Sequence, residues 1–305
     1  MQTKVVPFSD QAIADATRQI LAGHPVAVPT ETVYGLAADA TSASAVAAIY
    51  AAKGRPSFNP LIVHVGNIDD ARAIGTFSSA AVKLAEQYWP GPLTIVVPLR
   101  ADAKIASLTT AGLSTIALRI PDHRAMRALL ASTGVPLAAP SANASGSISP
   151  TRADHVLRTL VGRIPMIIDD GPTAGGIEST IVKVDGNATY LLRHGPVIVS
   201  GATAGGGDNI EAPGQMAAHY APSKPLRLNA VTAAAEEWHL GFGDVVGTIN
   251  LSSSSDLNEA AGRLFDLLHI ADLSPARRIA VAPIPDTGLG LAINDRLRRA
   301  AVGDR

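Results

Sequence analysis

The stretch KGRPSFNPLIVH (53–64) sets Lys53 and Arg55 on either side of a glycine, before a short apolar run that ends on His64. Lysine suits a phosphate as a point charge, arginine offers a planar fork, and the glycine lets backbone amides approach the same anion. Two cations closing a helix also satisfy its dipole, so the pair alone leaves both readings open. Arg119, in TIALRIP (115–121), is the one charge in an apolar run. A buried guanidinium is costly without an anion, so Arg119 needs a partner: a protein carboxylate such as Glu31, or a substrate carboxylate or phosphate. His64, inside an apolar strand, reads on its own more often as a hydrogen-bonded core histidine than as a ligand contact.

Hydroxyls gather at further strand ends. PTETVYGLAADA (29–40) brackets Glu31 with Thr30 and Thr32, AAPSANASGSISPT (138–151) leaves a strand into a loop of Ser, Asn and Gly, and IESTIV (177–182) with LLRHG (191–195) adds Ser179, Thr180 and Arg193. Such loops offer hydroxyls and amides to phosphate and sugar oxygens, and open α/β sheets bind ligands at their strand ends. Each stretch alone reads as an ordinary turn or β-former. Together they point to a polar cavity for a polyanion.

Composition narrows the chemistry. The chain has no cysteine, which excludes disulfides, thiolate nucleophiles and Cys-ligated zinc, and its eight histidines show no metal-ligand spacing, so no protein-caged metal is expected. There is no GK[ST] phosphate loop, HExxH or EF-hand pattern, and Gly205–Gly207 opens no helical pattern, so it reads as linker. A net charge of −1 argues against a protein held to nucleic acid by bulk electrostatics. The N-terminus lacks an apolar signal region and no apolar run approaches the ~18 residues of a membrane span, so a soluble cytoplasmic protein is expected.

These residues need elements to hold them. Apolar spacing and caps predict helices at 10–21, 42–52, 78–88, 122–131 and 151–160, and strands at 26–29, 61–65, 93–99, 115–120, 136–140, 166–170 and 179–184. The alternation implies an α/β or α+β sheet domain over 1–200. The Gly/Ala/Pro-rich segment 201–225 reads as a linker. A small open α/β unit follows over 226–305: helix 229–239, strand 244–251, helix 256–269, strand 277–284, helix 288–301.

In this order PTETVYGL, KGRPSFNPLIVH, ALRIP, APSANASG, ESTIV, LRHG, HYAP and the terminal GLGLAINDRLRRAA resemble the Sua5/YrdC/YciO family in its long, two-domain Sua5 form, over nearly the whole chain. The resemblance implies a YrdC-like twisted mixed sheet with a basic cavity, plus a small Rossmann-like open α/β C-terminal Sua5 domain. It also implies a nucleotidyltransferase. L-threonine and bicarbonate give N-carboxythreonine, whose carbamate oxygen attacks the α-phosphate of ATP, releasing pyrophosphate and threonylcarbamoyl-AMP for the t6A37 modification of tRNA. By the same resemblance, Thr32, His64, Arg119, Ala139 and Ser179 form the threonine pocket. Arg55, Asn59, Thr115, Ser141, Asn143, Ser149, Arg193 and Tyr220 contact ATP, with Lys53 and Arg55 catalytic. Tyr220 closes over the nucleotide, and the linker is expected to act as a lid. Mg²⁺ is held mainly by the ATP phosphates. Downstream threonylcarbamoyl transferase machinery takes the product, tRNA is met only indirectly or weakly, and no membrane is involved.

The tail is short for this family, and Lys183 stands where an acidic residue is commoner, expected as an exposed strand end without catalytic weight. Two other readings remain: a non-catalytic YrdC-like RNA-binding module, and carbamoyl transfer as in hydrogenase maturation factors, which the missing cysteine-bearing segments disfavour.

Overall fold

The computed structural model describes residues 2–205, 211–214 and 219–302; within the expected linker, 206–210 (Gly206 and Gly207 among them) and 215–218 lie outside the described residues. The first half of the chain runs β1 (Lys4–Pro7), α1 (Asp10–Leu21), β2 (Val26–Pro29), β3 (Tyr34–Asp39), α2 (Ala43–Lys53), β4 (Ile62–His64), α3 (Ile68–Ile74), α4 (Ser79–Tyr88), β5 (Leu93–Pro98), β6 (Thr115–Arg119), α5 (Arg124–Thr133) and β7 (Leu137–Ala138). It continues with α6 (Ala153–Leu160), β8 (Met166–Asp169), β9 (Thr180–Asp185), β10 (Ala188–Arg193) and β11 (Thr203–Ala204). The C-terminal part carries β12 (Leu226–Arg227), β13 (Glu237–Gly241), β14 (Ile249–Asn250), α7 (Leu257–Leu273), β15 (Arg278–Val281) and α8 (Gly290–Ala301).

Local chemistry sets the helix ends. Ser9, Ser42 and Ser78 each accept a backbone N–H two residues into the helix they open, as N-caps do. α2 stops at Gly54, whose φ of 62° is left-handed and is adopted there by a residue without a Cβ. That stop turns the chain so that Lys53 ends the helix and Arg55 begins the turn into β4.

Eleven strands form one mixed sheet in the order β1-β8-β2-β3-β7-β4-β6-β5-β9-β10-β11, and four form a second in the order β12-β15-β13-β14. In the first sheet β4–β6 and β5–β9 are parallel, while β5–β6, β4–β7 and β9–β10 are antiparallel. The second sheet is parallel throughout. Alternation sorts the central strands: Val63, Leu118, Ile95, Val97, Val182 and Val184 bury one face in the main core. The opposite face carries a small cluster of Ile62, Val96, Ala117 and Ile181, covered by Ala212 of the linker. A further core joins α7, α8 and the second sheet to Val33, Ile148, Ile177 and Tyr220.

The expected fold class, a large mixed sheet domain with a small open α/β unit, is the one observed. Two expected elements differ. Residues 231–236, expected within a helix over 229–239, are exposed turn and bend, and the strand β13 begins at Glu237. The alanines there have helix propensity but no apolar face to bury, and the Glu237 carboxylate accepts from Ala234 N–H, closing a turn instead. The strand expected over 244–251 shrinks to Ile249–Asn250, because Phe242 and Val245 pair across a turn with Gly243 at φ 56°. β1, β3, β11, β12 and α3 were not anticipated, and β10 only through Arg193 at its end. β3 lies between β2 and β7 and is buried through Ala38, so it shows no polar alternation to read.

Candidate active site

Strand pairing assembles the site. His64 on β4 lies opposite Arg119 on β6, so their side chains share the face that the main core leaves free. Thr94 on β5 reaches Ser179, just before β9, with 2.8 Å between hydroxyl oxygens. Between β2 and β3 the Thr30 hydroxyl donates to Val33 O at 2.7 Å, a local turn that competes with the ladder. With that proton committed, Thr32 donates to Thr30 at 2.8 Å and accepts from Arg119 Nη1 at 3.1 Å. Arg119 also donates from Nε to Gly91 O at 3.2 Å and from Nη2 to Glu31 Oε1 at 2.5 Å. Of the partners open to Arg119, Glu31 is the one it holds here.

Arg193 donates to Ser179 O and Ser179 Oγ, both at 3.0 Å, and to Pro213 O of the linker at 3.3 Å. Arg55 ties down its own turn through Asn59 O at 3.1 Å and Pro60 O at 2.9 Å. Lys53 Nζ donates to Ser141 O and Asn143 O, each at 2.5 Å, and Asn143 Nδ2 donates to Ser147 O at 2.8 Å. Lys53 therefore pins the start of the hydroxyl-rich loop rather than resting in the helix dipole. The Ser149 hydroxyl, at the far end of that loop, donates to Glu178 Oε1 at 2.5 Å.

Of the residues predicted for the site, Thr32, Arg55, His64, Arg119, Ala139, Ser141, Ser179, Arg193 and Tyr220 line one cavity of about 50 Å³. Asn59, Lys53, Asn143 and Ser149 stand buried behind its wall, and Thr115 is half-buried at the other end of β6. Lys53, Arg55, Arg119 and Arg193 are all less than 10% exposed, at 3%, 8%, 3% and 7%. Burial holds the Lys53 amine well below the usual lysine range, pushes Arg55 down to about 10 and lowers Arg193. Burial, then Arg119, takes His64 down to about 3, so its imidazole is neutral at physiological pH. Dehydrated cations gathered this way are relieved by an anion, which is the electrostatic signature of a site rather than of a core. His64 Nδ1, His219 Nδ1 and the Tyr220 hydroxyl, all on cavity-lining residues, are buried without a hydrogen-bond partner among the described residues. Among the described residues no cluster of three carboxylate, histidine or cysteine groups could hold a metal.

Glu178 is a cavity residue that the sequence reading passed over, although it sits inside the quoted IESTIV. Its partner, Arg296, was likewise unremarked. The signal was present: 292, 293, 296, 297 and 300 form the buried stripe of α8, with an arginine at its centre. Lys183 departs from its expected role, since it pairs with Glu211 of the linker at 2.6 Å.

The arrangement defines a mixed-sheet α/β protein with a buried cavity lined by three arginines, Arg55, Arg119 and Arg193. Comparison with known proteins sharpens this. Residues 18–195 match the family profile Sua5_yciO_yrdC, described as "Telomere recombination", and residues 181–302 match one described as "Threonylcarbamoyl-AMP synthase, C-terminal domain". The Threonylcarbamoyl-AMP synthase of Bacillus subtilis (strain 168) is 38% identical, covering 99% of this chain and 96% of that one, and its namesake from Pyrococcus abyssi is 36% identical over 92% and 91%. The crystal structure of P. abyssi Sua5 complexed with L-threonine superposes with a TM-score of 0.90 at 32% identity, over 99% of this chain and 98% of that one. E. coli YciO, at 17% identity and a TM-score of 0.58, shares the fold over 65% of this chain and 98% of its own. The chain belongs to the Sua5/YrdC/YciO family.

Proposed function

We propose that the chain is a threonylcarbamoyl-AMP synthase, joining L-threonine, bicarbonate and ATP into threonylcarbamoyl-AMP with release of pyrophosphate. The observation that carries this is the pairing of Arg119 with a neutral His64 on one sheet face, inside a cavity whose other cations are Arg55 and Arg193. Arg119 takes the threonine carboxylate in a planar fork, and Thr32, fixed as an acceptor from Arg119, orients it. His64, Ser179 and the backbone near Ala139 surround the rest of the amino acid. Neutral His64 adds no charge, so the carbamate formed from threonine and bicarbonate meets arginines rather than a competing imidazolium. Its oxygen attacks the α-phosphorus as the bond to pyrophosphate breaks, and Arg55 and Arg193 offset the repulsion of two anions held in line.

Asn59, Thr115, Ser141, Asn143, Ser149 and Tyr220 serve the nucleotide, with Lys53 acting through the loop carbonyls it holds. Magnesium arrives with the triphosphate and is held mainly by it; the carboxylate lining the cavity, Glu178, is already committed to Ser149 and Arg296.

A nucleotide site runs to roughly 300 Å³ or more, several times the cavity seen here, so a wall must move. The movable wall in this reading is the linker: Pro213, Gly214, His219 and Tyr220 line the cavity, and Ala212 covers the apolar patch beside it. Residues 201–225 thus form a lid between a catalytic domain (1–200) and a C-terminal domain (226–305). Among the described residues no helix is long and apolar enough to cross a membrane. The proposed setting is the cytoplasm, where the product passes to a threonylcarbamoyl transferase for t6A formation and contact with tRNA is indirect. An RNA-binding role finds no support in the site, because its cations are buried in a cavity rather than spread over a surface.

The test is pyrophosphate release from ATP with threonine and bicarbonate, omitting each in turn. Release is expected only with all three present, and release indifferent to threonine would defeat the proposal.

A further inference from the structure

Arg296 belongs to α8 of the C-terminal unit, yet its guanidinium reaches Glu178 in the wall of the cavity. It is fully buried; Nε donates to Glu178 Oε2 at 3.0 Å, and Nη1 donates to His194 O at 2.7 Å and to Asp295 Oδ2 at 3.0 Å. Its central carbon lies 5.5 Å from the centre of the Tyr220 ring. The second oxygen of Glu178 accepts from the Ser149 hydroxyl. From α7, Phe265 stacks on Tyr220 with 5.6 Å between ring centres, and His269 Nε2 lies 3.2 Å from Ser149 O. The hydroxyl of Ser149 and one face of Tyr220 are therefore both held from the C-terminal helices.

A carboxylate in that wall is a liability for a site that must admit a triphosphate. Left unpaired it would repel the ligand, or take up a proton and let go of its present geometry. Arg296 removes both outcomes by cancelling the charge from the side away from the cavity, so Arg55, Arg119 and Arg193 face the ligand without an uncompensated anion among them. Burial alone would raise the Glu178 carboxyl; Arg296, then Arg193, more than offset it and hold it below the usual range.

We propose that Arg296 is a positioning residue for nucleotide binding: by pairing Glu178 it fixes the Ser149 hydroxyl, and by facing the Tyr220 ring it fixes the aromatic wall, so that the C-terminal unit completes the nucleotide site. This rests on the reading that Ser149 and Tyr220 meet the nucleotide.

Arg296→Met alone strands a buried carboxylate and invites unfolding, so the informative variant is Arg296→Met combined with Glu178→Leu. It removes both charges at similar volume, an exchange that buried ion pairs often tolerate. Calorimetric titration of the full chain with ATP is expected to show Kd raised about ten-fold, with threonine Kd within about two-fold of the parent. Arg296→Lys, which keeps the charge but loses the fork, is expected to fall between parent and double variant. A folded double variant with parental ATP affinity overturns the proposal, as does an equal loss of ATP and threonine affinity alongside a lower Tm, the mark of a merely structural pair. If the double variant does not fold, Arg296→Lys with parental ATP affinity overturns it in the same way. A parent chain that binds no ATP overturns the nucleotide reading and this inference with it, whereas a parent that binds ATP as well as its variants overturns the inference alone.

Discussion

Each of the three nitrogens of Arg119 has an acceptor: Gly91 O, the Thr32 hydroxyl and the Glu31 carboxylate. A lysine offers one nitrogen at a different reach and cannot keep that fork. Arg119→Lys is therefore expected to lose about 1.5–3 kcal/mol of charged hydrogen bonding to the threonine carboxylate, raising threonine KM by roughly ten- to a hundred-fold. An unchanged threonine KM in the folded variant would remove Arg119 from the pocket. Lys53 makes a different case. Its amine pins two loop carbonyls, so Lys53→Ala is expected to lower stability by about 1–3 kcal/mol in urea unfolding and to weaken ATP more than threonine. Full stability together with lost turnover would show instead that Lys53 meets phosphate directly. The chemistry of the site was legible at this scale because cations and hydroxyls in apolar runs stand out. Which cation faces the cavity was not legible, since Lys53 and Arg55 are two residues apart and only the left-handed turn at Gly54 sends them to different partners.

Elements were legible where a local signal and a buried face agreed. Serine caps and the glycine stop gave α1, α2 and α4 nearly to the residue, and continuous apolar runs gave β4, β5 and β6. The helix expected at 229–239 failed for the complementary reason: alanine propensity without a surface to cover does not overcome chain entropy. The linker was harder still, because nothing in a Gly/Pro-rich segment announces what it lies on. Here Ala212 covers Ile62, Val96, Ala117 and Ile181, while Glu211 pairs with Lys183. Tyr220, at φ 64°, is clamped between His219 and Phe265. Under the proposed lid reading, bound ligand holds this segment closed. ATP with threonine is thus expected to slow proteolysis within 201–225, and Tyr220→Ala to abolish most of that protection while reducing synthesis. Cleavage at the same rate with and without ligands would reduce the segment to a connector.

At the scale of the molecule, the contact between the two sheets' helices decides how stability follows pH. Gly176 permits the approach: a Cβ there would lie 2.4 Å from Ala261 O and 2.5 Å from Gly262 Cα of α7. Beside it His155 of α6 stacks on His269 of α7 with 3.8 Å between ring centres, and Arg152 pairs with Asp266 at 2.7 Å. Two stacked imidazoles cannot both carry charge. Burial first, and the neighbouring cations after it, take His155 down to about 4, with Asp266 opposing; burial and His155 take His269 down to about 3. A histidine whose folded value is depressed contributes stability that is complete above its unfolded value near 6.5 and is lost as pH falls toward the folded value. Carboxylates begin to protonate at the acid end of the window from pH 6.5 to about 4.5, but they do so alike in the parent and in a histidine variant, so the difference in slope isolates this effect. Each such histidine should remove about 1.4 kcal/mol per pH unit in that window, and buried His64 and His219, both near 3, add to the slope. His269→Gln retains a donor for Ser149 O but takes up no proton. Urea unfolding at pH 7.5, 6.5, 5.5 and 4.5 is thus expected to give a slope shallower by about one proton in this variant than in the parent. Equal slopes would mean that the stack is solvated and titrates normally, and the acid sensitivity would then belong to the cavity histidines instead.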